Sequence, residues 1–208
     1  MEESHLTNKG NKKTAKVKTF SVSAIPGDSS KNITVSATNS SKLSKEQLIN
    51  QAFKFHSQGK ISKAAKCYQY FIDQGFKDHR VFFNYGTILK DLGKLEEAEI
   101  SIRKAINLKP DLPEAYLSLG NILKDLGQLQ KAEISYKKAI QLKPDLVKTH
   151  LNLGILLRSL KKLQEAEISI RKAIDINPDF ADAYYNLGNT LKDLGKLKEA
   201  ELSTRKAI

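Results

Sequence analysis

The chain has 208 residues, with 35 Lys or Arg against 23 Asp or Glu, for a net charge of +12. No window holds the ~18 consecutive apolar residues of a membrane-spanning helix, and no apolar run follows the N-terminal lysines as in a signal peptide. The single cysteine, Cys67, excludes an internal disulfide framework and suits a reducing, cytoplasmic compartment.

Residues 1–44 read as a disordered tail rich in Lys, Ser, Thr and Asn, with no helical apolar period. Seven lysines face Glu2, Glu3 and Asp28, a net of +4, which leaves +8 for the rest. Lys12, Lys13, Lys16 and Lys18 form its densest basic patch. That patch is expected to be a solvated, solubilising run. Phe20, Val22 and Ala24, and the β-prone Asn32-Ile33-Thr34-Val35, are too short to stand as a sheet. Asn32-Ile33-Thr34 matches a glycosylation sequon by chance, since no secretory signal accompanies it.

From Lys45 onward the chain repeats every 34 residues. In Pro113–Leu146, residues Tyr116, Leu119, Gly120, Leu123, Ala132, Tyr136, Ala139 and Pro144 fall at unit positions 4, 7, 8, 11, 20, 24, 27 and 32. The same types recur in 79–112 and 147–180, with Gly86 and Gly154 at position 8 and Ala98 and Ala166 at position 20. Small residues there let the two helices of a unit approach closely. Gly93 and Gly127 at position 15 are expected to end the first helix in a left-handed conformation. Lys161 stands at that position in the fourth unit. Pro110, Pro144 and Pro178 are expected to stop the second helices.

The first unit, 45–78, is degenerate, with polar Gln51 at position 7 and Phe76 in place of the proline. It reads as an N-terminal cap. Ser44 followed by Gln47 predicts a capping box. The last unit, 181–208, stops at position 28 without a polar closing helix. A truncated piece of a longer protein is expected, and a homodimer through the uncapped end is the competing reading.

This spacing resembles the tetratricopeptide repeat. The resemblance implies an all-α, right-handed α-solenoid of antiparallel helix pairs, whose first helices line a concave groove for a peptide. In the family the groove is lined by positions 2, 5, 6, 9, 12 and 13. Carried onto this chain, these give Asn84, Asn152 and Asn186 at position 6, Asn121 and Asn189 at position 9, and Lys90, Lys124, Arg158 and Lys192 at position 12. An amide both donates and accepts, so an Asn ladder suits an extended backbone of weakly specified sequence. The basic row beside it favours an acidic segment. The repeated phrases AYxNLGN and LKDLGxLxEAE are also similar to the arm of O-linked N-acetylglucosamine transferases. They likewise resemble bacterial fusions of such repeats to glycosyltransferase, sulfotransferase or 2-oxoglutarate oxygenase domains. The dicarboxylate clamp of chaperone-binding members wants Lys at position 5, where this chain has Ile49, Phe83, Leu117, Leu151 and Tyr185.

No catalytic arrangement emerges. His5, His56, His79 and His150 lack metal-ligand spacing with each other or with Cys67. Each glycine belongs to a repeat position or a turn, not to a phosphate-binding loop. No cofactor is expected. Glu99–Arg103, Glu133–Lys137, Glu167–Arg171 and Glu201–Arg205 are acid-before-base pairs four apart. The dibasic pairs Arg103-Lys104 and Lys137-Lys138 are expected to complement the negative helix end. The basic surplus thus has a structural account, aromatic residues sit mostly at packing positions, and nucleic-acid binding is not expected. The expected function is a non-catalytic scaffold that binds an extended, acidic protein segment in its groove. The alternative is the substrate-recruiting arm of an enzyme.

Overall fold

A computed structural model describes residues 44–207, and the expectations for the N-terminal tail lie outside those residues. Ten α-helices make up this part: α1 (Lys45–Ser57), α2 (Ile61–Asp73), α3 (His79–Asp91), α4 (Leu95–Leu108) and α5 (Pro113–Asp125), then α6 (Leu129–Leu142), α7 (Val147–Ser159), α8 (Leu163–Ile176), α9 (Ala181–Asp193) and α10 (Leu197–Lys206). Each odd-numbered helix packs most extensively on the even-numbered helix after it. Each even-numbered helix then packs on the next odd-numbered one. First helices also meet directly across repeats, α3 with α5 and α7 with α9. The result is an α-solenoid with first helices on the inner face and second helices on the outer.

Local chemistry explains the boundaries. The hydroxyl of Ser44 accepts from the Gln47 amide at 3.2 Å, and the Gln47 side chain accepts from the Ser44 amide at 2.8 Å, closing the expected capping box. Asp78 caps α3 by accepting from the Arg80 amide at 2.9 Å. Gly93 and Gly127 take φ +74° and +73°, so the chain reverses between helices without a Cβ clash. Lys161 adopts φ +61° at the equivalent place and is the only non-glycine residue with positive φ among the described residues. The second helices α4, α6 and α8 end two residues before Pro110, Pro144 and Pro178, at an extended residue.

From the second unit onward the position-8 glycine sets the helix separation. A Cβ added to Gly86 would lie 2.8 Å from Ile102 Cδ1, and added Cβ atoms at Gly120 and Gly154 would collide with Tyr136 and Ile170. The apolar interior runs along the array rather than gathering in one core. Leu89, Ile102, Leu123, Tyr136, Leu153 and Leu157 belong to a central cluster, flanked by one around Ile49, Tyr68 and Phe71 and another around Ile170, Leu187 and Leu191. In the first unit, Phe76 packs against Phe71 with ring centroids 5.3 Å apart, filling the space where later units carry proline.

One expectation is corrected. The dibasic pairs do not serve the helix dipole: α4, α6 and α8 carry no basic residue in their last turn, and Arg103-Lys104 and Lys137-Lys138 lie short of it. The dipole's influence fades within one turn, so it does not account for them.

The four acid-before-base pairs do form, with distances of 2.6–2.8 Å. Two of them have a further role. Glu133 is buried, and its other oxygen accepts from Lys162 of the next repeat at 2.9 Å. Glu167 likewise bridges to Lys196 at 2.8 Å. Hydrogen bonds from Lys137 and Lys162 hold the Glu133 carboxyl below its ordinary value. At Glu167 burial pushes the other way, but the bonds from Lys196 and Arg171 outweigh it.

Candidate peptide-binding groove

The inner face is built by the first helices, whose outward side repeats every 34 residues because the helix starts do. Asn84, Asn121, Asn152, Asn186 and Asn189 are all half-buried there. The structure brings two of them together across a repeat boundary: Asn152 Nδ2 donates to Asn121 Oδ1 at 3.0 Å. The same oxygen accepts from the Tyr136 hydroxyl at 2.7 Å. Both lone pairs of the Asn121 carbonyl are thereby occupied, while its two N–H donors remain. The Tyr68 hydroxyl lies 3.2 Å from His56 Nδ1, and its pKa is pushed up to about 12, chiefly by burial. Asn186 Nδ2 instead donates to the Asp182 carbonyl at 2.8 Å. The difference follows from position 24: Tyr136 offers a hydroxyl to a neighbouring amide, and Ile170 offers none to Asn186. The Asn row is thus partly a structural device, with Asn121 and Asn152 forming a fixed rung.

The basic row is also engaged. Lys90 pairs with Asp91 at 3.4 Å and Lys124 with Asp125 at 3.6 Å. Arg158, whose own neighbour is Ser159, reaches across to Asp193 of the next repeat at 3.7 Å. Lys192 is exposed and makes no ion pair among the described residues. Reading position 12 alone missed these carboxylates at position 13. The signal was present in the recurring Lys-Asp dipeptide of 90–91, 124–125 and 192–193. Phe83 and Leu117 are half-buried and Tyr185 is exposed at position 5, so the inner face also offers apolar contact.

His56, His79, His150 and Cys67 do not assemble into a metal site, and no such cluster occurs among the described residues. His150 Nε2 lies 2.8 Å from the Pro144 carbonyl oxygen and packs in a structural slot. Cys67 is half-buried, and burial raises its thiol pKa.

Family models described as tetratricopeptide repeats match residues 86–127, 113–146, 147–180 and 170–201, one after another along the array. The chain is a tetratricopeptide repeat protein. Solved structures agree in fold. A crystal structure of MamA superposes with a TM-score of 0.71 at 24% identity, over 75% of this chain and 91% of that one. MamA 41-end from Desulfovibrio magneticus RS-1 gives 0.73 at 18% identity, over 78% and 92%. YrrB, described as a tetratricopeptide repeat protein with an unusual peptide-binding site, gives 0.70 at 22% identity, over 79% and 85%. No curated protein matches the sequence. This tetratricopeptide repeat chain carries no helix among its described residues that is long and apolar enough to cross a membrane.

Proposed function

We propose that residues 45–208, with 45–78 as the cap, act as a non-catalytic scaffold that binds an extended protein segment along the inner face. The observation that carries this reading is the Asn121–Asn152 rung, which holds amide donors in a fixed direction on the face formed by first helices. Fixed donors lose little rotamer freedom on binding, so they suit a backbone of varied sequence. The peptide-binding site reported for YrrB supports the same use of this fold. A reducing, cytoplasmic setting fits the lone cysteine.

An acidic ligand competes with Asp91, Asp125 and Asp193 for the basic row. Their separations of 3.4–3.7 Å are loose for charge-assisted bonds, so a peptide carboxylate can displace them. Lys192 needs no displacement. The acidic preference is therefore concentrated at the α9 end of the groove, where Asn189 is also free of side-chain hydrogen bonds among the described residues.

The test is a panel of acidic, neutral and basic decapeptides, titrated by fluorescence anisotropy against the full chain and its Asn189→Ala and Lys192→Glu variants. Acidic peptides are expected to bind best, and each substitution to weaken them about tenfold, the scale of one lost charge-assisted bond. Binding indifferent to both substitutions, in variants with unchanged circular dichroism, would overturn the inner-face site.

A further inference from the structure

The second helices carry a row that the inner-face reading does not use. Position 22 is Ile100, Ile134, Ile168 and Leu202, exposed by 57%, 69%, 70% and 62%. One exposed isoleucine needs no explanation, but four at the same place in consecutive repeats form a stripe. Four residues on, and hence beside each on the same helix face, stand Lys104, Lys138, Lys172 and Lys206. None of these lysines pairs with a carboxylate among the described residues. Lys104 lies over the Phe82 ring and Lys206 over the Tyr184 ring, each at 5.5 Å, while Lys138 donates to Gln141.

The stripe borders a groove that occurs twice. Lys137, Ile140, His150, Leu153, Ile168 and Lys172 line a recess of about 460 Å³ between α6, α7 and α8. Arg171, Ile174, Tyr184, Leu187, Leu202 and Lys206 line another of about 230 Å³ between α8, α9 and α10. Each residue of the second set lies 34 positions beyond its counterpart. Both recesses have an exposed aliphatic lip and a basic rim, and the first has a largely apolar floor. Asp175 is the one carboxylate common to both linings.

We propose that this outer face is a second docking surface, for a protein segment in which apolar and acidic residues alternate. Aliphatic side chains of the segment would enter the successive recesses, and its carboxylates would meet Lys172 and Lys206. Two copies of this chain would not pair through the stripe, because a face-to-face arrangement sets the rim lysines against each other. A flat anionic bilayer fits poorly as well. Glu96, Glu97 and Glu165 are exposed on the same second helices and would be repelled, and the apolar floor of the first recess lies below a surface that a bilayer does not enter.

The test uses the full chain and a fluorescein-labelled peptide of alternating Leu and Glu, with an alternating Leu-Lys peptide as comparison, read by fluorescence anisotropy. The double variants Ile168→Gln/Leu202→Gln and Lys172→Glu/Lys206→Glu change exposed side chains and should keep the fold by circular dichroism. Each is expected to weaken the Leu-Glu peptide at least tenfold, and the Leu-Lys peptide not to bind. Loss of binding on Asn189→Ala alone would move the peptide to the inner face and overturn the proposal. So would absence of binding. Phosphatidylserine vesicles captured with the same sensitivity to the double variants would replace the peptide by a membrane. Sedimentation showing a dimer that Ile168→Gln/Leu202→Gln disperses would replace it by a second copy.

Discussion

Lys161 holds a left-handed backbone conformation that glycine fills at the equivalent places Gly59, Gly93, Gly127 and Gly195. Its Cβ meets the following carbonyl there, at a cost of about 1–2 kcal/mol. Its amide still donates to the Arg158 carbonyl at 3.0 Å, as the glycines do in their turns. The repeat geometry therefore imposes the conformation and Lys161 accepts the strain. Lys161→Gly is expected to raise the melting temperature by about 2–4 °C per kcal/mol recovered, measured in a thermal scan. An unchanged or lower value would show that the lysine's smaller unfolded-state entropy offsets the relief. Thr149 is a second local misfit. It is fully buried where the third and fifth units have Ala115 and Ala183, and its hydroxyl has no partner among the described residues.

Two carboxylates tie second helices to the neighbouring repeat. Glu133 on α6 and Glu167 on α8 each bind a cation on their own helix and the lysine that opens the next repeat's second helix. At the preceding boundary the lysine's place is taken by Gln128, which serves Lys131 instead. Glu133 has a folded-state pKa below its ordinary value of 4.5. Its contribution is therefore present above about pH 4.5 and is lost as pH falls through the lower folded value. Glu133→Gln is expected to lower stability by about 1 kcal/mol at pH 7, discounted because both lysines are about half exposed. The difference from the parent should shrink toward pH 3 in urea titrations at the two pH values. A constant difference would mean that the pair does not carry the pH dependence.

Along the whole array, each repeat touches only its neighbours, so stability is the sum of units and boundaries. The boundary between α2 and α3 is less extensive than the others, and Ala65 stands in α2 where Glu99, Glu133 and Glu167 stand in later second helices. The first unit should therefore open before the centre. Native-state hydrogen exchange is expected to show faster exchange in α1 and α2 than in α5 to α8, by about tenfold or more. Uniform protection from α1 to α10 would instead mark the array as a single cooperative unit.

The 34-residue period was legible because it is local. A small residue at positions 8 and 20 is required wherever two helices cross closely, and four of the five positive-φ turns at position 15 betray themselves by a glycine. The capping box and the four intrahelical ion pairs were equally readable, since their partners lie three or four residues apart. The candidate site was legible as a set of positions but not as a set of free side chains. That the Asn121 carbonyl is consumed by Tyr136 and Asn152, and that Arg158 turns to Asp193, depends on contacts 15 to 35 residues apart. The outer recesses are of the same kind: Ile140, Leu153 and Ile168 are ordinary repeat residues until three helices from two repeats close around them. Periodicity specifies which faces the helices turn to one another. Only their packing across repeat boundaries specifies which polar groups are spent inside the array and which are left for a partner.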